Sequence, residues 1–327
     1  MQALTSKAYE LLEAGKIDSV LGWTKGDMPY DATPALFDTC TGFDKLVYNG
    51  FCGGNLSKYL VGRHDRTLVF LKPCDTYSLN QLLSEHRVNR DNVYAVGIGC
   101  GGMIDINKLK AFGFKGITDI ADDGESLTVH TLYGDKDGKK FPKANALLEK
   151  CQKCKGKDHM IYDEIILPEL SKDTTMGSRF TMVEKIENMD ADKRFEFWRS
   201  ELSKCIRCNT CRNTCPACTC NQCVFDNPKS GVQAKVNATD FEENLFHIIR
   251  AYHVAGRCSD CGECTRVCPQ AIPLHLLNRK FIKDMNAFYG EYQAGETAEL
   301  GSPLLHFSFD DAEPNAVSDK PDKGGAQ

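Results

Sequence analysis

The 327-residue sequence contains no run of 18 or more apolar residues, so it lacks a segment able to cross a bilayer as a helix. It also lacks charge of one sign in excess. Its 40 Lys and Arg stand against 45 Asp and Glu, a net charge of −5, which gives no reason to expect nucleic acid or an anionic membrane as partner. The N-terminus has no basic stretch followed by an apolar block. It reads as an amphipathic helix with Leu4, Ala8, Leu11 and Leu12 on one face, not as a signal peptide, and the chain is expected to be cytoplasmic. There is no P-loop, no H-E-x-x-H and no Ser-His-Asp order. The eight histidines are scattered, and His247 and His253, within one predicted helix, read as core or surface residues.

What the sequence does have is cysteine, seventeen of them. The number is odd, and most lie two or three residues apart. In a chain without an export signal, thiols so spaced are metal or cluster ligands far more often than disulfides. Cys205-Ile-Arg-Cys208-Asn-Thr-Cys211-Arg-Asn-Thr-Cys215-Pro216 has the form C-x2-C-x2-C-x3-C-P, and Cys258-Ser-Asp-Cys261-Gly-Glu-Cys264-Thr-Arg-Val-Cys268-Pro269 repeats it. In such strings the first three thiolates wrap one cubane while the fourth ligates the neighbouring one. The spacing therefore assigns Cys205, Cys208, Cys211 and Cys268 to one [4Fe–4S] cluster and Cys258, Cys261, Cys264 and Cys215 to a second. Proline after each fourth cysteine restricts the backbone and helps turn it away. Zinc sites use two separated C-x2-C pairs and do not need this doubled string, so zinc is the minor alternative. Cys218, Cys220 and Cys223 follow directly and read as thiols packed beside a cluster, with extra ligation the other reading. Lys204, Arg207, Arg212, Arg257 and Arg266 flank the motifs and read as solvated charge.

The predicted architecture is an α/β N-terminal domain with a parallel βαβ sheet, residues 1–165, followed by a mainly α-helical dicluster module. Thr67–Lys72 is an apolar run of strand length. A helix follows with Leu79, Leu82 and Leu83 on one face and Asp75, Thr76 or Ser78 as its cap. Val93–Gly97 then reads as a second, parallel strand, and Ser126–Leu132 as another. Residues 166–200 are polar and patternless until a helix over Asp190–Lys204. Residues 201–292 form the cluster module, with a helix containing Phe241, Leu245, Ile248, Ile249 and Tyr252, capped by Thr239 and Glu242, and another over Leu274–Tyr289. Its long helical insert between the motifs favours the helical over the β-hairpin type of dicluster module. The remainder, 293–327, is a tail whose acidic, Pro- and Gly-rich end is expected to be disordered.

Four further cysteines point to a third centre. Cys74 and Cys100 each stand at the C-terminal end of a predicted parallel strand, where open sheets bind ligands. Cys151-Gln-Lys-Cys154 adds a C-x2-C pair, and the four are expected to ligate a third [4Fe–4S] cluster; buried small hydrophobes are the competing reading. The same loop, Gly97-x-Gly99-x-x-Gly102, also matches a dinucleotide fingerprint, with Asp119 or Asp122 downstream. A cysteine at its centre and the following Met103-Ile104-Asp105 speak against that use.

Residues 20–165 resemble the beta subunits of deazaflavin-reducing hydrogenases and formate dehydrogenases. The likeness is carried by Lys72-Pro73-Cys74-Asp75, by Arg90-Asp91-Asn92-Val93 leading into Gly97 to Asp105, and by Cys151-x-x-Cys154. It implies a [4Fe–4S] cluster beside an FAD that exchanges hydride with a deazaflavin. The dicluster part looks like the ferredoxin modules of heterodisulfide reductase and anaerobic sulfite reductase subunits. The sequence is read as an electron-transfer subunit of a multi-subunit oxidoreductase, relaying electrons between other redox subunits through two and further to three clusters. A flavin-containing subunit with its own hydride-exchange site is the alternative, because clusters move one electron at a time.

Overall fold

The structure, a computed structural model, describes residues 2–134, 136–156, 158–167, 178–230, 240–299 and 301–305. Helix α1 (Gln2–Glu13) buries Leu4, Ala8 and Leu11, as its periodicity predicts. It leads into a five-stranded sheet of β1 (Ser19–Lys25), β2 (Ala32–Phe37), β3 (Thr67–Leu71), β4 (Val93–Ile98) and β8 (Glu164–Leu167), in the order β2-β1-β3-β4-β8. All pairings are parallel except that of the edge strand β2 with β1. The five residues of β3 are all buried, the continuous apolar run expected of a strand covered on both faces.

Between β3 and β4 lies α2 (Pro73–Ser84), so this stretch is the predicted βαβ unit, with Thr67 opposite Val93 and Leu71 opposite Gly97. Proline at the first helical position is preorganised for the turn. The N-cap is Lys72, not Asp75, Thr76 or Ser78, which all lie inside the helix; Asp75 stands at its third position, where its carboxylate accepts from the Lys72 backbone N–H at 3.4 Å. After α3 (Ile106–Ala111), strands β5 (Ile117–Asp122), β6 (Ser126–Thr131) and β7 (Lys139–Pro142) form a separate antiparallel sheet. The strand expected over Ser126–Leu132 is present but does not join the parallel sheet. Short helices α4 (Lys143–Ala146) and α5 (Glu149–Gln152) carry the chain past Cys151 to β8. Strand β8 straddles the predicted end of the α/β domain at residue 165 and adds the outer parallel strand.

From Ser178 onward the described residues form helices and no strands: α6 (Thr181–Glu187), α7 (Ala191–Leu202), α8 (Thr210–Asn213), α9 (Asp240–His253), α10 (Glu263–Arg266) and α11 (Leu274–Tyr289). Helix α7 is capped by Asp190, whose carboxylate accepts from Lys193 N–H at 2.9 Å. Helix α9 spans the predicted residues, with Ile249 half-buried. Phe241, Leu245, Ile248 and Tyr252 are exposed, while Phe246, His247, Arg250 and Ala251 are buried. Its inward face is set by what it covers, not by its longest apolar stripe. Thr239, the predicted cap, and the tail beyond residue 305 lie outside the described residues. No helix among the described residues is long and apolar enough to cross a membrane.

The helical region is locked onto the α/β region by polar contacts at buried or half-buried positions. Arg257 grips Glu85 at the end of α2 with two hydrogen bonds of 2.7 and 2.5 Å. The hydroxyls of Ser78 and Ser259 meet at 2.7 Å, and Lys58 donates to the Cys218 carbonyl at 2.5 Å. Gly295 (φ +79°) lies so close to α2 that an added Cβ would stand 1.8 Å from the Tyr77 carbonyl oxygen. Only glycine permits both that backbone conformation and that approach.

Candidate iron–sulfur centres

The two repeated cysteine strings fold alike. In each, the second residue after the first cysteine and the residue after the second cysteine have positive φ: Arg207 (52°) and Asn209 (59°) in one, Asp260 (53°) and Gly262 (66°) in the other. Left-handed residues alternating along a short loop turn successive N–H groups inward, the backbone nest that cradles anionic clusters. A non-glycine residue rarely adopts this conformation, so three such residues at matching positions record a constraint built into the loop. Backbone and side-chain donors also reach sulfur: Arg207 N–H to Cys205 Sγ at 3.4 Å and the Thr210 hydroxyl to Cys208 Sγ at 3.4 Å.

Cys215, Cys258, Cys261 and Cys264 line one cavity of about 20 Å³. The fourth cysteine of the first string thus stands with the first three of the second, the crossed arrangement that the spacing assigns. Cys205, Cys211 and Cys268 pack in a common apolar cluster with Trp198, Leu202, Ile272 and Leu274. Cys208, which is exposed, is near enough to join Cys268 in raising the Cys211 thiol, an effect secondary to burial.

The four N-terminal cysteines also come together. Cys74, Cys100, Cys151 and Cys154 line a cavity of about 30 Å³. Cys74 is in the first turn of α2 and Cys100 follows β4, so the parallel pairing of β3 and β4 brings them to one end of the sheet. The His159 ring nitrogen Nε2 lies 3.1 Å from Leu71 O and 3.2 Å from Ile98 O, joining the two strand ends beneath the cavity loops. Cys151 sits on α5, and its Sγ accepts from the Met103 N–H at 3.4 Å. The glycine pattern of this loop does not build a phosphate cradle. Gly97 is still within β4, α3 starts only at Ile106, and Asp119 and Asp122 lie in the other sheet, where Asp122 pairs with Lys143 at 2.7 Å.

Among the described residues no three His, Cys, Asp or Glu side chains close on a single metal ion. The cysteines surround spaces instead, which fits a cluster several ångströms across rather than one zinc ion. No disulfide joins any of the seventeen cysteines. Burial pushes Cys151 and Cys261 up to about 11 and Cys264 to about 12, while Lys150 opposes the shift at Cys151 and Cys261. Burial likewise raises Cys74 and Cys258 well above the ordinary thiol value. Unligated, these thiols keep their protons, so any metal they bound would have to displace them. Two cysteines go the other way: Cys215 is held down to about 6 chiefly by a hydrogen bond from Cys218, and Cys208 is lowered by hydrogen bonds from Thr210.

The two cavities share a wall. Asp260 and Cys261 line both. Lys150, next to Cys151 in sequence, crosses the boundary, donating to the Cys261 carbonyl at 2.7 Å and to Glu263 at 2.8 Å. Gly262 makes room for it, since a Cβ there would fall 2.5 Å from Lys150 Cδ. Glu263 is held low, to about 2; burial works against the charge, and Lys150 and Arg266 outweigh it. Asp260 is likewise held low against burial, chiefly by Arg279 with Arg179 also in contact. Lys155 donates to the Ser259 carbonyl. Lys72 belongs to the quoted Lys72-Pro73-Cys74-Asp75 motif, whereas Lys150 and Lys155 carry no sequence signal beyond standing next to a cysteine. Cys218, Cys220 and Cys223 line a separate open cleft of about 460 Å³ with Arg212, Arg250 and Arg257.

Residues 201–272 match the family model described as a 4Fe-4S dicluster domain. The F420-dependent formate dehydrogenase subunit beta of Methanocaldococcus jannaschii is 24% identical over 86% of this chain and 88% of its own. The F420-dependent formate dehydrogenase 1 subunit beta of Methanococcus maripaludis is 25% identical over 68% of this chain and 73% of its own. A chain of the F420-reducing [NiFe] hydrogenase complex from Methanosarcina barkeri has a weak structural likeness, with a TM-score of 0.37 at 19% identity over 46% of this chain and 58% of that one. The chain is thus a homologue of F420-dependent formate dehydrogenase beta subunits and carries a 4Fe-4S dicluster domain in its C-terminal region.

Proposed function

We propose that this chain is an electron-transfer subunit with three [4Fe–4S] centres in a row. The first is held by Cys74, Cys100, Cys151 and Cys154, the second by Cys215, Cys258, Cys261 and Cys264, and the third by Cys205, Cys208, Cys211 and Cys268. Each centre supplies single-electron transfer when bound. The observation that carries the reading is the shared wall: Cys261 lines the cavity of the N-terminal cysteines and that of the middle set. The chain's own residues then fix the order. Lys150 ties the backbone beside Cys151 to the Cys261 carbonyl, and the crossed Cys215 and Cys268 hold the middle and last sets together. Like its formate dehydrogenase homologues, the chain acts within a complex whose other subunits provide the donor and acceptor. The proposed division is an α/β domain at 1–165, a connector at 166–200, the dicluster module at 201–292 and a tail at 293–327, with the end of β8 carrying the sheet two residues into the connector.

Iron and flavin analysis of anaerobically purified protein tests this. Three centres require about 12 irons per chain, and the dicluster domain alone requires about 8. Iron at the lower figure removes the N-terminal centre. Flavin released by heat at about one per chain would instead favour the hydride-exchanging alternative, which needs a two-electron cofactor.

A further inference from the structure

Among the described residues, several buried cations near the cysteine sets are paired with carboxylates. Lys72 meets Asp75 at 2.8 Å, Lys150 meets Glu263 at 2.8 Å and Arg279 meets Asp260 at 2.8 Å. Arg250 on α9 is 3% exposed, yet among the described residues no carboxylate pairs with it. Its Nη2 donates to the Cys211 carbonyl at 3.1 Å, and its Nε has no partner. A buried guanidinium left in this state is costly unless something anionic compensates it.

The groups around Arg250 are thiols of both dicluster sets: Cys211 from one, Cys215 and Cys264 from the other, with Cys218 beside them. The helix is also turned to put it there. The apolar Phe241, Leu245, Ile248 and Tyr252 face outward, and Arg250 takes an inward position that periodicity would give to an apolar residue. We propose that Arg250 is a positioning charge lodged between the two dicluster centres, whose anionic partner is the pair of thiolate-bound clusters themselves. Each one-electron reduction adds a negative charge to a centre that four thiolates already make anionic. A fixed cation beside both centres stabilises the reduced forms and raises both reduction potentials.

The inference rests on the dicluster part of the proposed function, and iron content reports that part separately. The test is a redox titration of the full-length holoprotein, followed by electron paramagnetic resonance of the reduced clusters, for wild type, Arg250→Gln, Arg250→Lys and Arg257→Gln. Arg250→Gln should lower the reduced-to-oxidised ratio at a fixed poise at least tenfold, which is about 59 mV for a one-electron couple. Arg250→Lys should restore most of that shift. Arg257→Gln, whose charge is already paired with Glu85, should shift the ratio less than twofold. An iron-replete Arg250→Gln protein with an unchanged ratio overturns the proposal, as does an Arg250→Lys shift as large as that of the neutral variant. If Arg250→Gln fails to load iron, full loading of Arg250→Lys supports a need for the charge. Failure of both overturns it, since the hydrogen bond to Cys211 would then be what matters.

Discussion

The α/β and helical regions gather cysteines in opposite ways. In the helical region each set comes mostly from a string of seven residues, and the geometry is local: left-handed residues at matching places in both strings curl the backbone around its own thiols. In the α/β region Cys74, Cys100 and Cys151 are tens of residues apart and meet only because β3 and β4 pair in parallel and α5 folds back over their ends. A local site should survive damage to distant packing, whereas a site assembled by topology should not. The interface between the regions belongs to both, since Cys261 and Asp260 face each way.

The largest effect expected from breaking this arrangement is loss of one centre alone. Cys151→Ser should remove roughly 4 irons per chain and leave the dicluster resonance signals in place. Unchanged iron would mean that the N-terminal cysteines do not form a site. Next is the contact that seats the helical region on α2. Gly295→Ala puts a methyl group against the Tyr77 carbonyl at a left-handed position, and should cost about 2–5 kcal/mol in thermal or urea unfolding of the holoprotein. A loss under about 0.5 kcal/mol would show that the segment shifts freely.

Lys150→Met removes one of the two cations that hold buried Glu263, and should destabilise by about 3 kcal/mol. Adding Glu263→Gln should recover part of that loss; if the double variant is no better than the single, the buried charge is not the cause. The smallest effect expected is on pH dependence. Burial, with Arg250 and Arg207 nearby, holds the His247 imidazole down to about 3 from a reference of 6.5. Between those values the unfolded chain binds a proton that the folded chain refuses, so stability falls as pH drops from 6.5 towards 3, by at most about 1.4 kcal/mol per pH unit. Urea unfolding at pH 7 and pH 5 should show a shallower loss for His247→Gln than for wild type, and equal losses would rule this out.

Much of this protein is set by residues close together in sequence. The doubled C-x2-C-x2-C-x3-C-P string specifies its cluster chemistry alone, because thiolates two residues apart can wrap a cubane without help from the rest of the fold. The unit from Thr67 to Gly97 is legible for the same reason: the buried run of β3, proline at the start of α2 and the run of β4 are each local signals. Tertiary structure alone decided the rest. Strand β8 is four residues without a distinctive pattern, made a strand by the free edge of β4. The orientation of α9 follows from the cysteines beneath it, which draw Arg250 inward against the apolar periodicity of the helix. The meeting of the N-terminal cavity with the middle set at Cys261, and the bridge that Lys150 makes across it, depend on pairings more than 100 residues apart. A charge in the sequence carries no sign of whether it will be buried, and burial is what turns Lys150 and Arg250 from surface charge into part of the site.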